Sequence, residues 1–154
     1  VAVGAGMNLA LCCDLVVASE NARFSEIFAK LGLSVDFGGS FLLPRIVGLQ
    51  KAKELVLLAE VLSAAEADRM GLINYVVPHD QLDDKALELA QKAASGPTRA
   101  IAMSKAMLNK SFANSLQDAL DQEGTSQTVN FTTKDVSEAM KAFQEKRPPR
   151  FSGW

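Results

Sequence analysis

"VAVGAGMNLALCCDLVVA", residues 1–18, reads as a buried strand running straight into a glycine turn, a short helix over Asn8–Asp14 and a second strand over Leu15–Ala18. That order of strand, turn, helix and strand is typical of α/β layers. Gly4 and Gly6 flank Ala5 where the strand gives way to the helix, and the first N–H groups of a helix have no intrahelical acceptor. With the macrodipole behind them, such groups suit a negatively charged oxygen. A tight turn that holds no ligand accounts for the same spacing. Val1 has nothing before it to pair with, so the chain is expected to be a piece of a longer one.

Outward from this stretch, Arg23–Ser25 is a candidate strand, Glu26–Leu31 a helical turn stopped by Gly32, and a loop carries the chain through Asp36 to Gly39. From Ser40 the spacing of Leu42, Leu43, Ile46 and Val47 predicts a helix, and a second follows over Lys51–Leu58. Ser63 and Glu66 form a capping-box pattern for a helix over Ala64–Met70, which Gly71 ends. "LINYVV", residues 72–77, predicts a strand before Pro78. Helices are then expected over Asp80–Ala94, Pro97–Lys110, Ser115–Gln127 and Lys134–Lys146, and "RPPRFSGW" cannot continue a helix. The change at Pro78 divides the chain into residues 1–78, mixed α/β, and residues 79–154, a helical subdomain.

With 154 residues, 48% of them hydrophobic and 22% charged, the chain is long enough for one ordinary core. A net charge of −2 without a basic block outside the last residues argues against nucleic acid as a partner. Cys12 and Cys13 are adjacent and cannot easily bridge each other, which suits a reducing, cytoplasmic setting, and they read as small buried hydrophobes. No Cys/His pattern has metal spacing, and His79, the single histidine, belongs to no cluster, so no metal is expected. No apolar run reaches the roughly 18–20 residues of a membrane span, and no membrane partner is expected.

Asp36 lies between Val35 and Phe37, ahead of Gly38, Gly39 and Ser40. One reading is a side chain capping a turn. The other is a carboxylate in an apolar pocket, where lost solvation raises its pKa toward the range useful to a general base. A base beside an oxyanion site would make a proton-abstraction enzyme.

"VGAGMNLALCCDLVVASENARFSE", "GLSVDFGGSFLLPRIVG", "LSAAEADRMGLINYVVP" and "AFQEKRPPRF" together resemble the C-terminal part of the crotonase, or enoyl-CoA hydratase/isomerase, superfamily. They are most similar to its 1,2-epoxyphenylacetyl-CoA isomerase and Δ3,Δ2-enoyl-CoA isomerase branch. The resemblance implies a spiral ββα fold with a C-terminal helical trimerisation subdomain, and family members carry a further N-terminal half. It implies an acyl-CoA thioester as substrate, no cofactor, a homotrimer or dimer of trimers, and work in fatty acid metabolism or phenylacetate catabolism. The backbone N–H of Ala5 is implied as one of two oxyanion-hole donors, the other lying in the further half. Hydratases of the family place glutamates at the positions of Asn8 and Phe28, whereas the isomerase branches carry an acid at that of Asp36. Asp36 is therefore the implied catalytic base, with Gly4, Gly6, Asn8, Phe28, Phe37 and Gly38 around the substrate. Glu26 is expected to point to a different face from Phe28. Phe143 and Lys146 match positions that touch the CoA nucleotide, and Arg147 or Arg150 could meet its phosphates; a solvated basic tail is the plainer reading. The expected activity is a double-bond shift, or isomerisation of a ring epoxide or oxepin, through an enolate. A hydratase, a non-catalytic acyl-CoA binder and a helical interaction module over residues 80–154 remain alternatives.

Overall fold

The computed structural model describes residues 1–154, and the chain separates into two compact units, Val1–Leu87 and Glu88–Trp154. The first runs β1 (Ala2–Val3), α1 (Ala5–Leu11), β2 (Val17–Ser19), β3 (Arg23–Ser25), a 3₁₀ turn (Ile27–Leu31), α2 (Gly39–Ile46), α3 (Leu49–Leu58), β4 (Leu62–Ser63), α4 (Ala64–Arg69), β5 (Tyr75–Val77) and a second 3₁₀ turn (His79–Gln81). Helix α5 (Leu82–Ala94) contains the division, and α6 (Thr98–Lys110), α7 (Leu116–Asn130) and α8 (Lys134–Gln144) follow. The change of composition at Pro78 precedes this division because the residues just after β5 still pack on the first unit. His79 Nδ1 lies 3.3 Å from Ser19 Oγ, and Lys85 Nζ sits 5.2 Å from the Tyr75 ring centre.

Parallel pairing dominates the first unit, as an α/β layering requires. β1 pairs parallel with β3 (Ala2 opposite Phe24, Val3 opposite Ser25), and β2 pairs parallel with β5 (Val17 opposite Tyr75, Ser19 opposite Val77). β4 adds antiparallel to β3. Parallel neighbours need a crossover between them, and α1 lies on the path from β1 to β3. Met7 and Leu11 of α1, Phe24 of β3, Leu43 of α2, Leu55 of α3 and Ala67 of α4 form the core. Each large side chain among them contributes about 1.5–3 kcal/mol through burial.

Several local readings need correction. Helix α1 starts at Ala5, not Asn8, because Gly4 (φ 54°, ψ −126°) makes the whole turn in one residue. Only Tyr75–Val77 of the expected strand 72–77 is extended. Leu72 and Ile73 are spent on closing α4: Gly71 (φ 72°) donates to Asp68 O and Leu72 N to Ala67 O, a Schellman closure that folds both apolar residues into the core. Cys12 and Cys13 are exposed, since they follow the last core-facing residue of α1, Leu11.

The second unit is built differently. Helices α6 and α7 bury no residue, and Ala142 is the unit's one fully buried hydrophobic side chain. Ser115 and Asp118 form a capping box at α7, and Thr133 caps α8. Helix α8 ends at Gln144, short of the expected Lys146: Lys146 turns left-handed (φ 53°) and Arg147 N donates to Ala142 O. The non-helical tail then returns to α8. Asp135 accepts from Ser152 N (2.7 Å) and Gly153 N (2.9 Å), and Glu138 accepts from both ends of the Arg147 guanidinium and from Arg150 N. No helix is long and apolar enough to cross a membrane.

Candidate active site

The strand β1 ends at a position only glycine fills. Gly4 has a positive φ, and a Cβ there would lie 3.3 Å from the Phe28 ring and 3.6 Å from Ile27. Its N–H donates to Ser25 O at 2.8 Å, fixing the end of β1 on the end of β3. Ala5 follows at once as the first helical residue, exposed, with its N–H in the turn that has no intrahelical acceptor. Phe28 is buried and forms the floor under Gly4. Gly6 is exposed and has nothing within 4 Å of its Cβ position, so no steric demand for glycine exists there.

Asp36 begins a four-residue turn. Gly39 N donates to Asp36 O at 3.0 Å, and both central residues are left-handed, Phe37 at φ 51° and Gly38 at φ 81°. This is the type I′ pattern, which asparagine and glycine adopt easily and a phenylalanine does not. Gly39 has no room for a side chain, because a Cβ would come within 2.7 Å of Asn8 Oδ1 and of Val35 Cγ2. No side chain caps α2, so the Asp36 carboxylate is not spent as a helix cap. Nor is it enclosed: Asp36 is exposed, Phe37 is 53% exposed and Val35 half-buried. The apolar pocket expected around this acid is not built by its two flanking residues, since the tight turn aims Phe37 outward.

The desolvated carboxyl is Glu26. It is 1% exposed, and burial pushes its pKa above the ordinary value, with the Asn8 amide opposing and the Asp36 charge adding to the rise. Asn8 is fully buried on α1; its Nδ2 donates to Asp36 O at 3.0 Å and contacts Glu26 Oε2 at 3.4 Å. Three segments that are far apart in sequence thus meet at one amide group. Asn8 and the Asp36–Gly39 turn come together here, and Glu26 joins them at the Asn8 amide while Phe28 lies under Gly4. The available signal was a lone acid inside the apolar "FSEIF", residues 24–28.

The residues expected to touch CoA lie in the second unit. Phe143 is 84% exposed on α8, and Lys146 is exposed just past its end. Arg147 is committed: it donates to Glu138 at 2.6 and 3.0 Å and to Glu145 at 2.6 Å. With one further bond to Pro148 O, four of its five N–H groups are engaged, which leaves one for any other acceptor. No group of three His, Cys, Asp or Glu side chains is placed to hold a metal ion.

An exposed carboxylate on a rigid turn, tied by its own backbone to a helix with open N–H groups, can remove a proton from a carbon next to a carbonyl. Known proteins resemble the chain over nearly its whole length. The family model described as enoyl-CoA hydratase/isomerase matches residues 1–153. The 1,2-epoxyphenylacetyl-CoA isomerase of Escherichia coli (strain K12) is 41% identical over 153 residues, covering 99% of this chain and 58% of that protein. The crotonyl-CoA hydratase of Syntrophomonas wolfei is 38% identical over 150 residues, covering 97% and 58%. The crystal structure of an enoyl-CoA hydratase/isomerase from Cupriavidus metallidurans CH34 superposes with a TM-score of 0.92 at 42% identity, covering 99% of this chain and 58% of that one. The chain therefore spans less than two thirds of the length of these relatives.

Proposed function

The chain belongs to the enoyl-CoA hydratase/isomerase family, and from that premise we propose that it acts as an acyl-CoA isomerase with Asp36 as its single base. The observation that carries this reading is the Asn8 bridge: the amide that holds the Asp36 turn sits on the helix that opens with the Ala5 N–H. The Asp36 carboxylate removes a proton from C2 of the thioester, the negative charge moves to the thioester oxygen, and the same acid returns the proton at C4 or at a ring carbon. Amide donors such as Ala5 N–H meet that oxygen as its charge develops, and losing one such donor raises a barrier by about 2.7–4 kcal/mol. Exposure of Asp36 gives a substrate carbon access to it, whereas Glu26, with 1% exposure, cannot reach one.

Hydration is the second reading, favoured by relatives whose names are hydratases. It requires a positioned water and usually a second carboxylate. Asn8 and Phe28 are both buried and carry no acid, which supports isomerisation over water addition. An acyl-CoA thioester is the proposed substrate, and a homotrimer or dimer of trimers the proposed assembly, supported by Ile101, Leu108, Leu116 and Phe131 standing exposed on or just after α6 and α7. Proton–deuterium exchange at C2 across a panel of acyl-CoA esters tests the reading, beside water addition to crotonyl-CoA. Wild type should exchange, and Asp36→Asn should lose several powers of ten in turnover with little change in ligand affinity. Full exchange by Asp36→Asn removes the base assignment, and binding without exchange by wild type makes the protein a non-catalytic acyl-CoA binder.

A further inference from the structure

Asn8 Oδ1 and Glu26 Oε1 are buried without any hydrogen-bond partner, although the other two polar atoms of the same side chains face each other at 3.4 Å. Buried acceptors left unpaired cost about 1–3 kcal/mol each, more when charged. As an ionised group Glu26 only accepts, so neither orphan can serve the other. A single proton on Glu26 changes that: the acid then carries an O–H that the amide oxygen can accept while the amide N–H donates back, the two-bond pairing natural to an acid and a primary amide. The second N–H of Asn8 remains on Asp36 O.

We propose that Glu26 and Asn8 form a neutral acid–amide pair that holds the Asp36 turn against α1, making Glu26 a positioning residue for the base. The surroundings favour the uncharged form. Helix α1 carries no charged residue, and Asp36 brings a second negative charge. The cations of the neighbouring elements are turned elsewhere: Arg23 to Ala22 O, Lys30 to Glu60, Arg45 over the Phe41 ring and Lys51 to Glu54, with Lys53 exposed. Burial raises the Glu26 pKa in the same direction. Gly39 belongs to the device, since any side chain there would push into the Asn8 amide. The pair deepens the isomerase reading and rests on it only for the reaction used as a readout.

Glutamine at position 26 separates a neutral hydrogen-bonding role from a charged one, because its amide donates where the acid proton would and carries no charge. The experiment combines C2 exchange for Glu26→Gln and Glu26→Ala with a carbon-13 NMR titration of the Glu26 carboxyl in the wild-type protein. Glu26→Ala is expected to lower kcat at least about tenfold with a smaller change in KM, and Glu26→Gln to rescue it to within about threefold of wild type. The Glu26 resonance is expected to stay at the protonated position through neutral pH. An ionised Glu26 at neutral pH, or a Glu26→Gln variant as inactive as Asp36→Asn, overturns the proposal. If Glu26→Ala does not fold, the glutamine variant and the titration still decide it. If wild type itself fails to exchange, the isomerase reading falls while the titration continues to test the pair.

Discussion

Glu26 in the first unit and Glu138 in the second are two acids treated in opposite ways. Glu26 is buried beside one amide and a like charge, and its pKa is pushed up. Glu138 accepts two bonds from Arg147 and one from Arg150 N, and its pKa is pulled down to about 2. The second arrangement is what a structural clasp requires: both carboxylate oxygens meet donors, and the tail is held where few apolar contacts exist to hold it. The first leaves two buried acceptors open in the best-packed part of the chain. Packing there did not need a polar group, so the open pair is better explained by what it positions than by what it stabilises. Buried polar groups that are only partly satisfied are the places where fold and function compete.

Removing Asp135, the other carboxylate that holds the tail, should have the largest effect on stability. Asp135→Ala strands Ser152 N, Ser152 Oγ and Gly153 N, which all donate to this 5%-exposed carboxylate. Charge-assisted bonds of this kind make the expected loss on the order of 3 kcal/mol, read by denaturant unfolding of the protein. Hydrogen exchange should show the loss confined to residues after Glu88; a loss shared evenly with α1–α4 would break the contrast between the units. Gly39→Ala comes next. Its Cβ would meet the Asn8 amide and Val35, costing about 2 kcal/mol by overpacking and lowering C2 exchange through the displaced Asp36 turn. Unchanged exchange in a folded Gly39→Ala protein would mean that the Asn8 bridge does not set the position of the base.

What the sequence disclosed follows how far apart the cooperating residues lie. The Ser63–Glu66 capping box was legible because both bonds, Ser63 N to Glu66 Oε2 and Glu66 N to Ser63 Oγ, close within one turn. The Gly32 and Gly71 stops were legible for the same reason, as was the glycine pair marking a turn after Asp36. Glu26 was not, since its burial depends on Asn8 and on the Asp36 carbonyl, two contacts made by other segments. Leu72 and Ile73 read as strand because an apolar run looks alike in a strand and in a helix-closing turn that reaches the core. Asp36 lay between: its turn was readable, but its exposure was not, because that depends on Phe37 taking a left-handed backbone. Phe37→Gly should relieve this strain and leave stability unchanged or raised by up to about 1 kcal/mol, since the half-exposed ring loses little burial. A clear destabilisation on thermal unfolding would show that the ring packs more firmly than its 53% exposure indicates.

The smallest effect, and the one that tests the opening contrast by its sign, is pH. Glu138 has a folded pKa of about 2 against an ordinary 4.5, so its contribution is present above pH 4.5 and is lost as pH falls toward 2. Glu26 has a raised folded pKa, so its contribution is present below pH 4.5 and is lost as pH climbs through the raised value. Glu138→Gln should therefore lose its difference from wild type on the acid side, and salt should shrink that difference, because 23% of the side chain remains in solvent. Glu26→Gln should do the reverse, matching wild type most closely in acid and gaining on it as pH rises. Unfolding free energies for the two variants and wild type, followed from pH 2.5 to 8 in about half-unit steps, read both limbs at once. Two curves that bend the same way would mean that the buried acid of the first unit is held charged after all, by a donor that its surroundings do not supply.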